Sequence, residues 1–171
     1  MASLRAFSCY RKPKRAYTRK SKYKKKAFIK SVPNLRLVKF DFGNLKKDFS
    51  GQLDLVSKEK VQIRDNALES ARQVTIRKLN KLGKQYHFKV RVYPHNVLRE
   101  NKMLTGAGAD RMQTGMQHSF GKATGCAAVL KVNQPIFTLY TDKENLELMK
   151  PALKASIKKF PCKCAINKIT K

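Results

Sequence analysis

The sequence predicts an α+β domain, a mostly antiparallel sheet with two helices, carrying a basic, extended N-terminal arm. Three observations predict it. Several short runs alternate apolar and polar residues, as half-buried strands do. Two longer segments carry apolar stripes at 3.6-residue spacing, the mark of helices packed on one face. Residues 1–40 hold fourteen Lys or Arg and no Asp or Glu.

The arm comes first, from residue 1 to about Pro33. Tyr10, Tyr17 and Tyr23 are interleaved there with Arg11, Arg15, Arg19, Lys20 and Lys24 to Lys26. Cations for phosphate and rings for ribose or base suit RNA. A charge run can also be a merely solvated face, but no acidic residue within the segment neutralises this one. Pro13 and Pro33 interrupt it and its apolar residues lack a helical period. It is therefore expected to order on binding rather than to lie on a membrane as an amphipathic helix.

The rest, 34–171, reads as a single domain. Val38, Phe40 and Phe42 share one strand face, and Gly43–Asn44 marks a turn. A second strand runs near Gln52 to Ser57. A helix is expected from about Lys58 to Leu82, with Ala67, Leu68, Ala71, Val74, Thr75, Leu79 and Leu82 as its stripe and Gly83 as its C-cap. From Gln85 to Tyr93 the chain alternates. Tyr86, Phe88, Val90 and Val92 face the core, while His87, Lys89, Arg91 and Tyr93 form a basic opposite face. Regularity is expected to stop over 94–122, which holds four of the eight glycines and three of the five methionines. A loop this long in a compact domain is usually functional or disordered. Strands resume at Cys126 to Val132 and Ile136 to Tyr140, with a turn at Asn133–Gln134. Thr141 and Glu144 read as a capping box. The helix they open carries Leu146, Met149, Leu153, Ile157 and Phe160, with a kink expected at Pro151. A last strand spans Cys162 to Ile169.

Charge narrows the function. Thirty-nine Lys and Arg against eleven Asp and Glu give a net charge of +28 over 171 residues. A chain this positive repels itself and calls for a polyanion, nucleic acid above all. The longest stretch without a charged residue is ten, too short for a membrane-spanning helix. No apolar run follows the basic N-terminus, so no signal peptide is expected. Cys9, Cys126, Cys162 and Cys164 fit free thiols in a reducing compartment. The Cys-x-Cys pair places two thiols on one strand face, and no second pair has zinc-site spacing, so a core role is preferred to a metal.

Catalysis finds little support. His87, His95 and His118 fall in different elements, and carboxylates are scarce. Gly106-Ala-Gly108 lacks the third glycine of a dinucleotide fingerprint. Gly115 to Lys122 has five residues between its glycines, where a phosphate loop has four, and Ala123 stands where that loop has Ser or Thr. No catalytic residue, metal or cofactor is expected. The glycines and methionines do suit a flexible probe around Arg99, Lys102 and Arg111. A mobile surface loop explains the composition equally well.

The block Arg91-Val-Tyr-Pro-His-Asn-Val-Leu-Arg-Glu-Asn-Lys-Met-Leu-Thr-Gly-Ala-Gly-Ala-Asp-Arg111 closely resembles the large-subunit ribosomal protein family called L-ten-e in archaea and eukaryotes and L-sixteen in bacteria. The resemblance extends over Gly115-Met116, Phe120-Gly121-Lys122, Cys9-Tyr10-Arg11, Tyr17-Thr18-Arg19-Lys20, Val61-Gln62-Ile63-Arg64 and Asn66-Ala67-Leu68-Glu69. It covers essentially the whole chain, and the end soon after the last strand resembles the archaeal form. Four positions depart from the usual family pattern: Ala16 for Pro, Gln117 for Arg, Ala123 for Pro and Val129 for Arg. Contacts at 117 and 129 are therefore not carried over.

The resemblance implies a two-layer domain of the hammerhead type. It implies a structural, non-catalytic constituent of the large ribosomal subunit, cytoplasmic and on the ribosome, that helps shape the A-site tRNA corridor near the peptidyl-transferase region. Implied partners are large-subunit rRNA, tRNA transiently, neighbouring ribosomal proteins and assembly factors, with no membrane. The expected rRNA-binding residues are Arg5, Tyr10, Arg11, Lys12, Lys14, Arg15, Tyr17, Arg19, Lys20, Lys22, Lys24, Lys25 and Lys26 in the arm. In the domain they are Arg64, His87, Lys89, Arg91, His95, Arg99 and Lys122. The expected tRNA-facing loop residues are Lys102, Met103, Gly106, Gly108, Asp110, Arg111 and Met112. An RNA-modifying enzyme and a chromatin-like nucleic-acid-binding protein are the competing readings.

Overall fold

In a computed structural model of the chain, residues 5–12, 17–18, 23, 25, 28–29, 31–101 and 121–170 are described. Among these residues, eight strands and two α-helices follow a 3-10 turn at Phe7–Tyr10: β1 (Asp41–Gly43), β2 (Gly51–Ser57), β3 (Val61–Arg64), α1 (Asp65–Leu82), β4 (His87–Val90), β5 (Asn96–Glu100), β6 (Lys122–Leu130), β7 (Pro135–Thr141), α2 (Leu146–Ile157) and β8 (Cys164–Thr170). The strands form two sheets, ordered β1-β4-β7-β2-β8 and β3-β6-β5. Every pairing is antiparallel. The α+β class, the two helices and the antiparallel pairing are as expected, divided between two sheets.

The core joins the helices to both sheets, with Val61, Ile63, Ala128 and Leu130 of the smaller sheet buried in it. Leu53 and Leu55 of β2, Phe88 of β4 and Phe137 and Leu139 of β7 meet Leu68 and Leu79 of α1 and Met149 and Leu153 of α2. Phe137 takes Phe88 edge-on at 5.0 Å between ring centroids and Phe160 at 5.5 Å. Cys162 is buried in this core with Cys164 packed against it, their sulfurs 3.6 Å apart and unbonded. Hydrogen bonding to Cys164 brings the Cys162 thiol down to about 7.

Several elements differ from expectation, each for a local reason. The first helix starts at Asp65, not near Lys58, because Val61 and Ile63 alternate with Gln62 and Arg64 and pair with β6 as a strand. On α1 the fully buried apolar residues are Leu68, Ala71 and Leu79, whereas Leu82 is exposed. Strand β1 is confined to Asp41–Gly43, and Val38 is 76% exposed. Strand β5 occupies Asn96–Glu100 within the stretch expected to be irregular, and β6 begins at Lys122. Thr141 ends β7 and is buried, with its hydroxyl bonded to the Gln85 carbonyl at 3.4 Å. It therefore makes no capping box; a 3-10 turn at Lys143–Asn145 leads into α2 instead. Helix α2 continues through Pro151.

The expected punctuation holds. Gly83 ends α1 at φ 61°, and Asn133 turns between β6 and β7 at φ 61°. Gly43 is required by its neighbour as well as by its φ of 91°: a Cβ there would stand 2.1 Å from the Tyr86 carbonyl oxygen. No helix among the described residues is long and apolar enough to cross a membrane.

Candidate nucleic-acid interface

The described part of the arm is docked on the small sheet. Gln62 of β3 donates its backbone N–H to the Arg11 carbonyl at 3.0 Å and its side-chain amide to the Tyr10 carbonyl at 2.8 Å. On the opposite edge, Val97 of β5 donates to the Tyr17 carbonyl at 3.1 Å, and Tyr17 donates to Asn96 Oδ1 at 2.5 Å. The Asn96 amide also donates to Gln62 Oε1. Both side chains are buried, Gln62 at 2% and Asn96 at 3% exposure. A buried amide pair in which each group donates once and accepts once carries little desolvation penalty. Here it grips the arm backbone at two places.

The aromatic residues lie against guanidinium groups. Arg64 sits 5.3 Å from the Tyr10 ring and 6.0 Å from Phe7, with Nη2 donating to the Arg5 carbonyl at 3.0 Å. Arg99 sits 4.0 Å from the Tyr17 ring, and Tyr17 Oη donates to the Phe28 carbonyl at 2.7 Å. Tyr17 also packs with Ile29, Val97 and Cys126 in a small second core. These contacts are cation–π pairs. Burial, more than any charge, pushes the Tyr10 hydroxyl up from its ordinary range.

The expected RNA-binding cations divide into two groups. Some already have acidic partners: Arg5 binds Glu100 at 2.8 Å, Arg11 binds Glu59 at 2.9 Å, and His87 and Lys89 share Asp41 at 3.1 and 3.7 Å. The hydrogen bond to Arg11 holds the Glu59 carboxyl below its ordinary range. The β4 face is therefore less cationic than its alternation suggests. His87 also stacks on Tyr140 at 5.2 Å. Lys12, Lys25, Arg91 and Lys122 are exposed and make no ion pair among the described residues. His95 is exposed, with Nδ1 3.1 Å from the Tyr93 carbonyl.

Lys14, Arg15, Arg19, Lys20, Lys22, Lys24 and Lys26 lie outside the described residues, as do Lys102, Met103, Gly106, Gly108, Asp110, Arg111 and Met112. Sequence reasoning missed Gln62 and Asn96. Their only signal was a polar residue at a register position flanked by buried neighbours. No group of three or more potential metal ligands occurs among the described residues.

Comparison with known proteins gives one consistent result. A family model described as Ribosomal protein L16p/L10e matches residues 14–167. The chain is 47% identical to a protein named large ribosomal subunit protein uL16 from Methanospirillum hungatei, over 88% of this chain and 91% of that one. It is 48% identical to the protein of that name from Methanococcus aeolicus, over 96% of this chain and 93% of the relative.

Proposed function

Because the chain belongs to the ribosomal protein L16p/L10e family, it is a structural constituent of the large ribosomal subunit rather than an enzyme, and we propose that its docked arm and exposed cations form its rRNA-binding surface. Membership places it on the ribosome in the cytoplasm and implies binding to rRNA and to other ribosomal proteins. The observation that supports the finer reading is the strap of 5–12 and Tyr17. Its backbone is clamped to the small sheet, while Lys12 points into solvent. Such a strap offers phosphate-binding charge without paying the full ordering entropy at binding.

Within this reading Arg5, Tyr10, Arg11, Lys12, Tyr17 and Lys25 contact rRNA, as do Lys14, Arg15, Arg19, Lys20, Lys22, Lys24 and Lys26. Arg64, His87, Lys89, Arg91, His95, Arg99 and Lys122 line the domain side. The segment carrying Lys102, Met103, Gly106, Gly108, Asp110, Arg111 and Met112 reaches toward tRNA and the peptidyl-transferase region, shaping the A-site corridor. Its support is the resemblance of the Arg91–Arg111 block, which falls inside the matched span. Assembly factors that shield the free chain are expected from its +28 charge.

Salt dependence tests the phosphate contacts. Replacing Lys12 or Lys25 by Ala should each lower the slope of log affinity for large-subunit rRNA against log salt by about one. An unchanged slope would mean that these lysines are only solvated.

A further inference from the structure

A cleft of about 200 Å³ opens on the small sheet beside the arm. Gly125 of β6 leaves it open: a Cβ at that position would meet no atom within 4 Å. Glycine inside a strand weakens the strand and often marks a place where a ligand comes close. One wall is the Tyr10 ring with the Arg64 guanidinium 5.3 Å from it, and Leu98 adds an apolar patch. The polar lining mixes two guanidinium groups, Arg36 and Arg64, with one carboxylate and neutral amides. Asn34 and Asn66 present side-chain amides that have no partner among the described residues. Asp65 adds a carboxylate whose oxygens accept from the backbone N–H of Arg36 at 3.2 Å and of Asn66 at 2.8 Å.

We infer that this cleft receives a single unstacked nucleobase of the bound RNA. The inference rests on the rRNA-binding reading above and deepens it. The Asp65 carboxylate and the amides of Asn34 and Asn66 suit the amino and ring N–H donors and the acceptors of a base edge. A planar guanidinium beside a tyrosine ring supplies a stacking platform. A second cleft of about 480 Å³ shares Arg64 and Asn66 with the first and is lined by Lys159. With Arg5, Arg64 and Lys159 in its lining, it suits the phosphate of the same nucleotide.

Gly125→Val fills the cleft with a residue that strands favour, and Asn66→Ala removes a base-edge partner from the surface. Each full-length variant is titrated against purified large-subunit rRNA over a salt series, with base-specific chemical probing of the complex and a thermal melt. Gly125→Val should melt no lower than the parent. Both variants should bind about tenfold more weakly, the loss expected for one stacked base, with the salt slope unchanged. One and the same rRNA base should regain reactivity in both. Parental affinity and protection in Gly125→Val would overturn the inference. A slope lowered by about one would also overturn it, by making the contact a phosphate. Parental rRNA affinity with failed incorporation into subunits would assign the cleft to a neighbouring protein instead. If the unmodified chain itself did not bind large-subunit rRNA, the broader reading would fail, whereas failure of the cleft alone leaves that binding intact.

Discussion

Asn96 and Gln62 lie on either side of β6, opposite Ala127 and Val129, and their side chains meet over it. Removing one partner of a buried pair leaves the other unsatisfied, at a cost of about 1–3 kcal/mol. Asn96→Ala should therefore loosen the strap before it unfolds the domain. Hydrogen exchange at the Tyr17 amide, which donates to Asn96 at 2.5 Å, should rise while the α1 amides stay protected. Uniform loss of protection would mean that the pair belongs to the global core. A second residue-scale test uses Glu69, whose carboxyl is held below its ordinary range chiefly by the hydrogen bond from Arg72. A lowered carboxyl contributes stability above its unfolded value and loses it as pH falls through the folded one. Glu69→Gln should thus lower stability by about 0.3–0.5 kcal/mol near neutral pH, as for other helix pairs, and by nothing in strong acid. Thermal melts at the two pH values read the difference.

Elements were legible in proportion to how far their own residues decide them. The turn residues Gly43, Gly83 and Asn133 and the α2 stripe at Leu146, Met149, Leu153 and Ile157 declare themselves locally and stand where expected, whereas Phe160 lies beyond the helix end at Ile157. The boundary between β3 and α1 does not. Val61-Gln62-Ile63-Arg64 fits a helix window until β6 supplies a partner 65 residues away, counted between Ile63 and Ala128. Pairing partners also explain β5, whose Val97 and Leu98 are buried only because β6 lies beside them. For the same reason the amide clip was invisible: it needs both strands. The helix stripe yields a direct prediction. Leu79 is fully buried near the end of α1, so Leu79→Ala should cost about 2–5 kcal/mol, read by denaturant titration. A loss under about 1 kcal/mol would mean that the end of α1 is frayed.

On the scale of the whole molecule, charge and architecture divide the work. Half of the +28 net charge falls in residues 1–40, and the described part of that segment is hydrogen-bonded to the β3-β6-β5 sheet while Phe7, Leu37 and Phe40 pack in or against the main core. Both sheets and the helices share the main core, and the small sheet also holds the basic strap. The polyanion partner was legible from composition alone, because a net charge of this size cannot be neutralised within the chain. Which cations are free was not legible, since the acids facing Arg5, Arg11 and Lys89 come from distant strands and loops. The central claim is that this surface holds large-subunit rRNA. Ultraviolet crosslinking of the tagged protein in cells, mapped to RNA sequence and to the crosslinked peptide, tests it most directly. The predicted result is crosslinks concentrated on large-subunit rRNA from peptides containing Tyr10 and Tyr17, with tRNA reads arising from 102–112. Crosslinks scattered over messenger RNA or DNA, or absent from the strap, would contradict it.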